Sequence, residues 1–185
     1  MKVLIACEFS GIVREAFAKR GHDATSCDLL PTEIPGKHYQ GNVLDIINDG
    51  WDMMIAHPPC TRLANSGVMW LERRGLWSDL LEGVRFFNIM LDADIPMIAV
   101  ENPIQHKYAR EYIRKYDQII QPWQFGHGET KATCLWLKNL PLLKPTIIVN
   151  GRENRIRKMP PSENRWRERS RTYQGIADAM AEQWG

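Results

Sequence analysis

Short apolar segments alternate with stretches of helical periodicity along most of the chain. Uninterrupted apolar runs predict buried strands, and apolar residues that recur every three or four positions predict helices. The predicted strands are residues 3–6, 24–27, 52–56, 97–100, 134–137 and 146–149, the last two as a hairpin-like pair. The predicted helices start at Ile12 and end by Gly21, carry Leu80, Val84, Phe87 and Leu91 on one face, and cover residues 104–115 and 176–183.

This alternation predicts one α/β domain over residues 1–185, with a mostly parallel sheet covered by helices on both faces. Sheets of this kind bind their ligands at the carboxyl ends of the strands. Polar and reactive residues follow the predicted strands at these positions, namely residues 8–11, Asp28, residues 57–60 and residues 101–103. A site is therefore expected along this edge of the sheet.

The composition is that of an ordinary globular protein, with 185 residues of which 44% are apolar and 25% charged. No apolar run is long enough to span a membrane and the first is too short for a signal peptide, so a cytoplasmic protein is expected. The four cysteines, Cys7, Cys27, Cys60 and Cys134, are widely spaced. That spacing predicts neither disulfides nor a metal site.

Positive charge is concentrated near the C-terminus, although the net charge is only +2. Residues 144–171 carry nine Lys and Arg side chains against three Glu. Such a segment suits a partner with phosphate groups, and the alternative is a solvated loop. Residues 150–170 have the least regular pattern of the chain, and a mobile basic segment is expected there.

Two strand ends carry the strongest candidates for chemistry. Cys60 follows Pro58-Pro59, which fixes two φ angles and restricts where the thiol points. A thiol held in this way is a candidate nucleophile, and the alternative is a small buried cysteine. Glu101 ends another apolar strand, where burial is expected to raise its pKa and make it a proton donor. The alternative for Glu101 is an acid that stabilises a helix N-terminus.

The first strand, turn and helix form a candidate cofactor site. Residues 9–11 lie where a nucleotide-like ligand meets a helix N-terminus. Asp28 ends the next strand, where a carboxylate can bind ribose hydroxyls. Only one glycine is present instead of the G-x-G-x-x-G set, which argues against NAD or ATP.

The order of these elements resembles the cytosine-C5 DNA methyltransferases. The catalytic strand of that family ends in Pro-Cys, as residues 52–60 (DMMIAHPPC) do here, and a later strand ends in Glu-Asn, as at residues 101–103 (ENP). Residues 9–11 (FSG) resemble the Phe-x-Gly of the family's cofactor motif. Residues 41–46 (GNVLDI) are similar to its Gly-Asp-Ile segment.

The resemblance is closest to short phage and prophage-encoded members, which share residues 125–137 and 171–177. It implies a Rossmann-like methyltransferase fold and methyl transfer from S-adenosylmethionine to C5 of cytosine in DNA, through a covalent bond from the ring to Cys60. Glu101 would be the acid/base partner of Cys60. The resemblance implies Phe9, Ser10, Gly11, Asp28, Asp45 and Pro58 at the cofactor, and Asn102, Lys131 and Thr133 at the substrate.

The chain departs from the full-length family in its recognition elements. Residues 131–133 (KAT) stand where the family has Gln-x-Arg-x-Arg, Val13 or Arg14 stands near the second cofactor glycine, and only residues 145–168 stand in place of a target-recognition domain. Modification of a free pyrimidine nucleotide, and a catalytically silent module that binds nucleic acid or cofactor, are therefore alternatives. The resemblance implies the cytoplasm of a bacterial or phage-infected cell, and a homodimer is one alternative for the assembly.

Overall fold

Strands and helices follow one another along the chain, largely in the alternation that the apolar pattern predicts. The computed structural model describes residues 1–185. The strands are β1 (Lys2–Ala6), β2 (Asp23–Asp28), β3 (His38–Gln40), β4 (Met53–Ala56), β5 (Met97–Pro103), β6 (Gln118–Ile120) and β7 (Thr133–Lys138). The α-helices are α1 (Ile12–Lys19), α2 (Met69–Arg73), α3 (Trp77–Leu91), α4 (Arg155–Lys158), α5 (Arg165–Ser170) and α6 (Gln174–Trp184).

All seven strands belong to one sheet in the order β3-β2-β1-β4-β5-β7-β6. The first five are parallel to one another, and β7 is antiparallel to both of its neighbours. Ala6 pairs with Ala56 and Ala56 pairs with Val100, so β1 and β4 end side by side, level with Val100 of β5. The residues that follow β1 and β4 therefore meet the last residues of β5 at one point of the carboxyl edge. The mostly parallel sheet is as predicted.

The period-2 alternation of the central strands sends side chains into two separate cores. Val3 and Ile5 pack with α1 and α6 on one face, whereas Leu4 packs with α3 on the other. Helix α3 contributes a fully buried Phe87, whose ring meets Trp136 edge-on at a centroid distance of 4.9 Å. Helices thus cover both faces, as predicted. Each large side chain buried in this way contributes roughly 1.5–3 kcal/mol.

Strand β5 is longer than predicted, because it does not stop at Val100 but continues through Glu101, Asn102 and Pro103. Antiparallel pairing with β7 keeps these three residues extended, with Glu101 opposite Leu135. Polar residues and a proline at positions 101–103 predict the end of a strand, but these residues pair with β7, which is distant in the chain. The local sequence pattern therefore placed the end of β5 three residues too early.

The predicted helix over residues 104–115 is wrong, since only a 3-10 turn at Ala109–Glu111 forms there. The backbone instead pairs with the loop after Cys60: His106 N donates to Leu63 O at 2.9 Å, and Ala64 and Gln105 form an isolated bridge. Tertiary hydrogen bonds therefore override the mixed helical propensity of this stretch.

The predicted strand over residues 146–149 is also wrong, and the partner of β7 in the hairpin-like pair is β6. Residues 146–149 run beside residues 123–126 with a single bridge between Phe125 and Ile147. Ile147 and Ile148 are largely exposed. The edge strand β3 was not predicted, because its three residues, His-Tyr-Gln, carry no apolar alternation.

The basic segment contains two short helices, α4 and α5, where little regular structure was expected. Trp166 of α5 lies 5.8 Å from the ring of Phe9, so this segment is packed against the residues that follow β1. None of the helices has the length and the apolar character that crossing a membrane requires.

Candidate functional site

The carboxyl ends of β1, β4 and β5 form one wall of a pocket. Of the residues proposed from the sequence, the pocket is lined by Phe9, Ser10, Pro58, Cys60, Glu101, Asn102 and Lys131. Gly11, Asp28, Asp45 and Thr133 do not line it. The pocket is also lined by residues that were not proposed as site residues, although Glu8, His57, Pro59 and Pro103 belong to the strand-end segments noted in the sequence: Cys7, Glu8, His57, Pro59, Pro103, Arg169, Ser170 and Thr172.

Cys60 is held in a turn directly after β4. Its carbonyl oxygen accepts hydrogen bonds from Leu63 N at 3.0 Å and Ala64 N at 2.9 Å, while Pro58 and Pro59 precede it. Burial raises the pKa of the Cys60 thiol and the Glu101 carboxylate raises it further, whereas Lys131 and Arg169 act in the opposite direction. The thiol therefore stays protonated in the free protein and needs help to become a nucleophile.

Glu101 and His57 form a buried pair on the same wall. The distance from His57 Nδ1 to Glu101 Oε2 is 3.1 Å, and only 9% and 16% of the two side chains are exposed. Burial alone would raise the pKa of Glu101, but the hydrogen bond and charge of His57, together with Lys131 and Thr133, hold that pKa below its usual range. The raised pKa expected from the sequence is thus wrong, because the strand end is apolar but the neighbouring side chains are not.

Asn102 and Lys131 fix two further edges of the pocket. Asn102 is buried and donates from Nδ2 to Pro58 O at 2.8 Å, which ties β5 to the loop that carries Cys60. Lys131 Nζ donates to Arg169 O at 2.8 Å and to Arg171 O at 3.3 Å. Lys131 therefore joins the β7 side of the pocket to the basic segment. Thr133 lies behind it, with its hydroxyl donating to Lys131 O at 3.1 Å.

The N-terminus of α1 is already occupied by a carboxylate of the chain. Glu8 is buried and accepts hydrogen bonds from Val13 N at 2.7 Å, Arg14 N at 3.2 Å and the Ser10 hydroxyl at 3.0 Å. A carboxylate in this position satisfies free backbone N–H groups and the helix dipole. Gly11 makes the turn, with a positive φ of 76°. The helix end therefore does not offer an open anion site of the kind expected from the sequence.

Asp28 and Asp45 lie beyond the pocket, on the side of β2 and β3. Asp28 Oδ1 accepts from Leu30 N at 3.0 Å, and Asp45 Oδ2 accepts from the Tyr39 hydroxyl at 3.2 Å. Burial raises the pKa of the Cys7 thiol to about 12, and Asp28 contributes to that shift. Cys7 lines the pocket, and Asp28 is close enough to affect the pKa of Cys7. Asp28 therefore lies on the side of the pocket that faces β2. One oxygen of each carboxylate has no hydrogen-bond partner in the chain.

Arg14 stands near the position at which the resemblance expects a second cofactor glycine, and it has a structural role. Its guanidinium is buried and donates to Ser26 Oγ, Thr32 Oγ1 and Ile34 O at 3.1, 3.1 and 2.6 Å. A Cβ added to Gly36 would lie 2.8 Å from Arg14 Cζ. Arg14 thus closes the loop after β2 against α1. The only sign of this role in the sequence is that Arg14 lies next to the apolar positions Val13 and Ala16 of α1.

The end of the basic segment, residues 165–172, lies across the pocket and is called the strap below. Arg171 pairs with Glu33 through two hydrogen bonds, of 2.9 and 2.7 Å. Within the strap, Trp166 packs on Phe9, and the Arg167 guanidinium lies 5.9 Å from the same ring. The strap is therefore held by the Arg171–Glu33 ion pair, the contacts of Trp166 and Arg167 with Phe9, the two hydrogen bonds from Lys131 and the hydrogen bond from Arg169 to Ile156 O.

Comparison with known proteins finds relatives only among solved structures. No protein-family model and no curated protein matches the chain. A protein assigned as a DNA modification methyltransferase, encoded within a prophage of E. coli, superposes with a TM-score of 0.51 and 18% identity over 80% of this chain. A methyltransferase of Entamoeba histolytica gives a TM-score of 0.47 and 14% identity over 82% of this chain and 57% of its own length. The chain spans 51% of the prophage protein.

At this identity the likeness concerns the fold. The parallel sheet with its antiparallel β7, covered by helices on both faces, is a Rossmann-like methyltransferase fold, as the sequence predicted.

Proposed function

We propose that the chain transfers the methyl group of S-adenosylmethionine to C5 of cytosine in DNA, through a covalent bond between Cys60 and C6 of the ring. The observation that carries the proposal is that Cys60, in the loop after β4, and Glu101, near the carboxyl end of the neighbouring β5, line one pocket together with Asn102 and Lys131. The methyltransferase fold supports the reaction class. A pyrimidine C5 is a weak nucleophile until a thiolate adds across the 5,6 double bond, and Cys60 is the group in the pocket that can add.

The nucleophile needs to lose its proton before it attacks. Lys131 and Arg169 favour the thiolate of Cys60, against burial and the Glu101 carboxylate, and the thiol proton passes to solvent water before the base enters. A neutral base that enters the pocket displaces water, and ring N3 and the amino group then lie against Glu101. The sulfur forms a bond to C6, and the electron pair of the 5,6 double bond moves into the ring.

Glu101 limits the charge that develops on the ring. Because its pKa lies below the usual range, Glu101 is a carboxylate before substrate arrives. It accepts a hydrogen bond from the exocyclic amino group and then from N3–H, once N3 has taken a proton from solvent. C5, now electron-rich, takes the methyl group. Solvent water takes the C5 proton, the C5–H electron pair re-forms the 5,6 double bond as the Cys60 sulfur leaves with its bonding pair, and N3 returns its proton to solvent.

The residues on the β1 and β2 side suit S-adenosylmethionine, which supplies the methyl group when it is bound. Asp28 and Asp45 each keep one carboxylate oxygen free, and vicinal ribose hydroxyls are donors that fit such oxygens. Phe9 and Ser10, which follow β1, line the same pocket as Cys60. Gly11 and Pro58 complete the set of residues that we assign to the cofactor side. Asn102, Lys131 and Thr133 are assigned to the substrate side.

DNA is the proposed partner because of the basic segment beside the pocket. Arg157 and Lys158 are exposed and carry no hydrogen bond from their side chains within the chain. A target base in duplex DNA must leave the stack to reach Cys60. Cations beside the pocket can then bind the backbone phosphates, with an affinity that falls as salt rises.

The deciding experiment is a covalent trap. Fluorine at C5 cannot leave as a proton does, so a 5-fluorocytosine substrate with S-adenosylmethionine should remain bonded to Cys60, and mass spectrometry of the peptides should locate it there. Duplex DNA, single-stranded DNA and the free fluorinated nucleotide form three arms. An adduct with the nucleotide alone would replace DNA by a nucleotide as substrate. Cofactor binding without an adduct in any arm would identify a silent module.

Cys60→Ser is the matched variant. It should form no adduct, while calorimetry shows cofactor binding close to that of the unchanged protein. A Cys60→Ser protein that still transfers the methyl group would refute the nucleophile.

A further inference from the structure

His57 was not proposed as a site residue from the sequence, yet its ring contacts Glu101 and lines the pocket together with Cys60. It directly follows β4, and two prolines separate it from Cys60. Its side chain is 9% exposed and lines the pocket with Cys60 and Glu101. The only hydrogen bond of the ring is the 3.1 Å contact from Nδ1 to Glu101 Oε2, since Nε2 is buried without a partner.

The ionised carboxylate identifies the donor in the pair. A carboxylate without a proton can only accept a hydrogen bond, so Nδ1 of His57 carries the proton and donates it to Glu101. Glu101 accepts on Oε2, which leaves Oε1 for a second donor.

We propose that His57 is a positioning residue of the methyl-transfer site, whose Nδ1–H fixes the plane of the Glu101 carboxylate and turns its second oxygen toward the amino group and N3 of the pyrimidine. The inference rests on the proposed function, because it is Glu101 that contacts the ring. His57 itself acts through Glu101 and touches no reacting atom.

The pair also explains why Glu101 stays ionised although it is buried. Burial favours the neutral acid, and so does the Cys60 thiolate once it forms. The groups that face Glu101 and oppose this effect are His57 from the end of β4, Lys131 from the loop before β7, and the Thr133 hydroxyl. Cys134 of β7 faces it as well, as a neutral thiol whose own pKa is raised to about 12 by burial and by Glu101. Without His57, only Lys131 and Thr133 would support the charge.

Two substitutions separate the Nδ1 donor from the mere presence of a polar side chain. His57→Asn places an amide N–H near the position of Nδ1, whereas His57→Gln places it near that of Nε2. The rate of methyl transfer is measured against pH for both variants and for the unchanged protein. We expect the acid limb of kcat to move to higher pH in His57→Gln and to return in His57→Asn, because the active Glu101 is the carboxylate.

The loss should appear in kcat more than in KM, at roughly 10²-fold for the misplaced donor, as is typical for removing one positioned hydrogen bond near the reacting group. Equal acid limbs in all three proteins would overturn the proposal. A shift of the alkaline limb instead would mean that Glu101 acts as the acid, and would overturn it as well.

A second measurement is independent of activity. Carbon-13 NMR of labelled glutamate follows the titration of the Glu101 carboxyl in the full chain without substrate. Its midpoint should rise in His57→Gln and stay low in His57→Asn, whichever substrate the protein uses. An unchanged midpoint sinks the inference, whereas absence of the Cys60 adduct in the unchanged protein sinks the proposed function. The two failures can therefore be told apart.

Discussion

Two regions of the pocket are built in opposite ways. The corner formed by His57, Cys60, Glu101 and Asn102 consists of strand-end residues whose polar contacts are mostly buried. The strap, residues 165–172, is held by Arg171 and Glu33, which are 30% and 29% exposed, and by a few contacts to Phe9 and Lys131. Buried contacts fix geometry, whereas exposed ion pairs contribute little energy. The difference assigns chemistry to the corner and places weaker, adjustable contacts in the strap.

The largest effect on this corner is expected from Asn102→Leu. This change removes the donor to Pro58 O and leaves a buried carbonyl unpaired, so the free energy of unfolding should fall by about 1–3 kcal/mol. Methyl transfer should fall as well, because the Cys60 loop loses its tie to β5. Urea denaturation and the transfer assay measure the two effects. Asn48→Leu, at an exposed residue, is the control and should change stability by less than about 0.5 kcal/mol.

The second test concerns acid stability. The pKa of Glu101 in the folded chain lies below its usual value of 4.5, so its stabilising contribution is complete above that pH and is lost as pH falls through the folded pKa. As the pH is lowered from about 5, the free energy of unfolding should therefore fall less in Glu101→Gln than in the unchanged protein. The difference should be roughly 1.4 kcal/mol for each unit by which the folded chain lowers the pKa of Glu101. Denaturation at a series of pH values measures it. Glu82→Gln, at an exposed residue without a hydrogen bond, should keep the original slope.

These two predictions rest on residues that the sequence indicated only in part. Cys60, Glu101 and Asn102 could be placed at the carboxyl edge because buried parallel strands read as apolar runs and the polar residue after each run is visible. His57 follows the same rule as part of residues 57–60, but no catalytic role was predicted for it. The depressed pKa of Glu101 could not be predicted, since it depends on His57 and Lys131, which are 44 and 30 positions away.

The strap was the least predictable part. Its arginines were visible as charge, but the partner Glu33 is 138 positions from Arg171 and no local pattern connects them. For the same reason the helix predicted over residues 104–115 failed, because its backbone bonds to the Cys60 loop instead of to itself. Period and propensity report on local contacts, and both errors arise from long-range ones.

The third test releases the strap. Arg171→Gln removes both hydrogen bonds to Glu33 and should cost only about 0.2–1 kcal/mol of global stability. Limited proteolysis within residues 150–172 should nevertheless become faster, since few other contacts hold the strap. Arg20→Gln, at the exposed residue that follows the C-terminus of α1, should change neither quantity. A global loss as large as that of Asn102→Leu would abolish the contrast between the two regions.

The smallest expected effect is in the salt dependence of DNA binding. Arg157→Gln and Lys158→Gln should each flatten the slope of log K against log salt by about 0.9 if each side chain binds one phosphate of duplex DNA. Folding stability should be unchanged, because both side chains are exposed. Lys19→Gln, at the far end of α1 from the carboxyl edge, is the control. Slopes equal to that of the control would remove these cations from the DNA surface.

The buried Arg14 has a consequence for how the molecule opens. Its guanidinium donates to the carbonyl of Ile34 and the hydroxyl of Thr32, while its own backbone N–H is bonded to Glu8. Parting the loop after β2 from α1 would take the Thr32 and Ile34 acceptors from a buried cation, so the loop and α1 should exchange their amide hydrogens for deuterium as one cooperative unit. The segment that begins at Asp28 would then be among the slowest parts of the protein to open and to exchange its amide hydrogens.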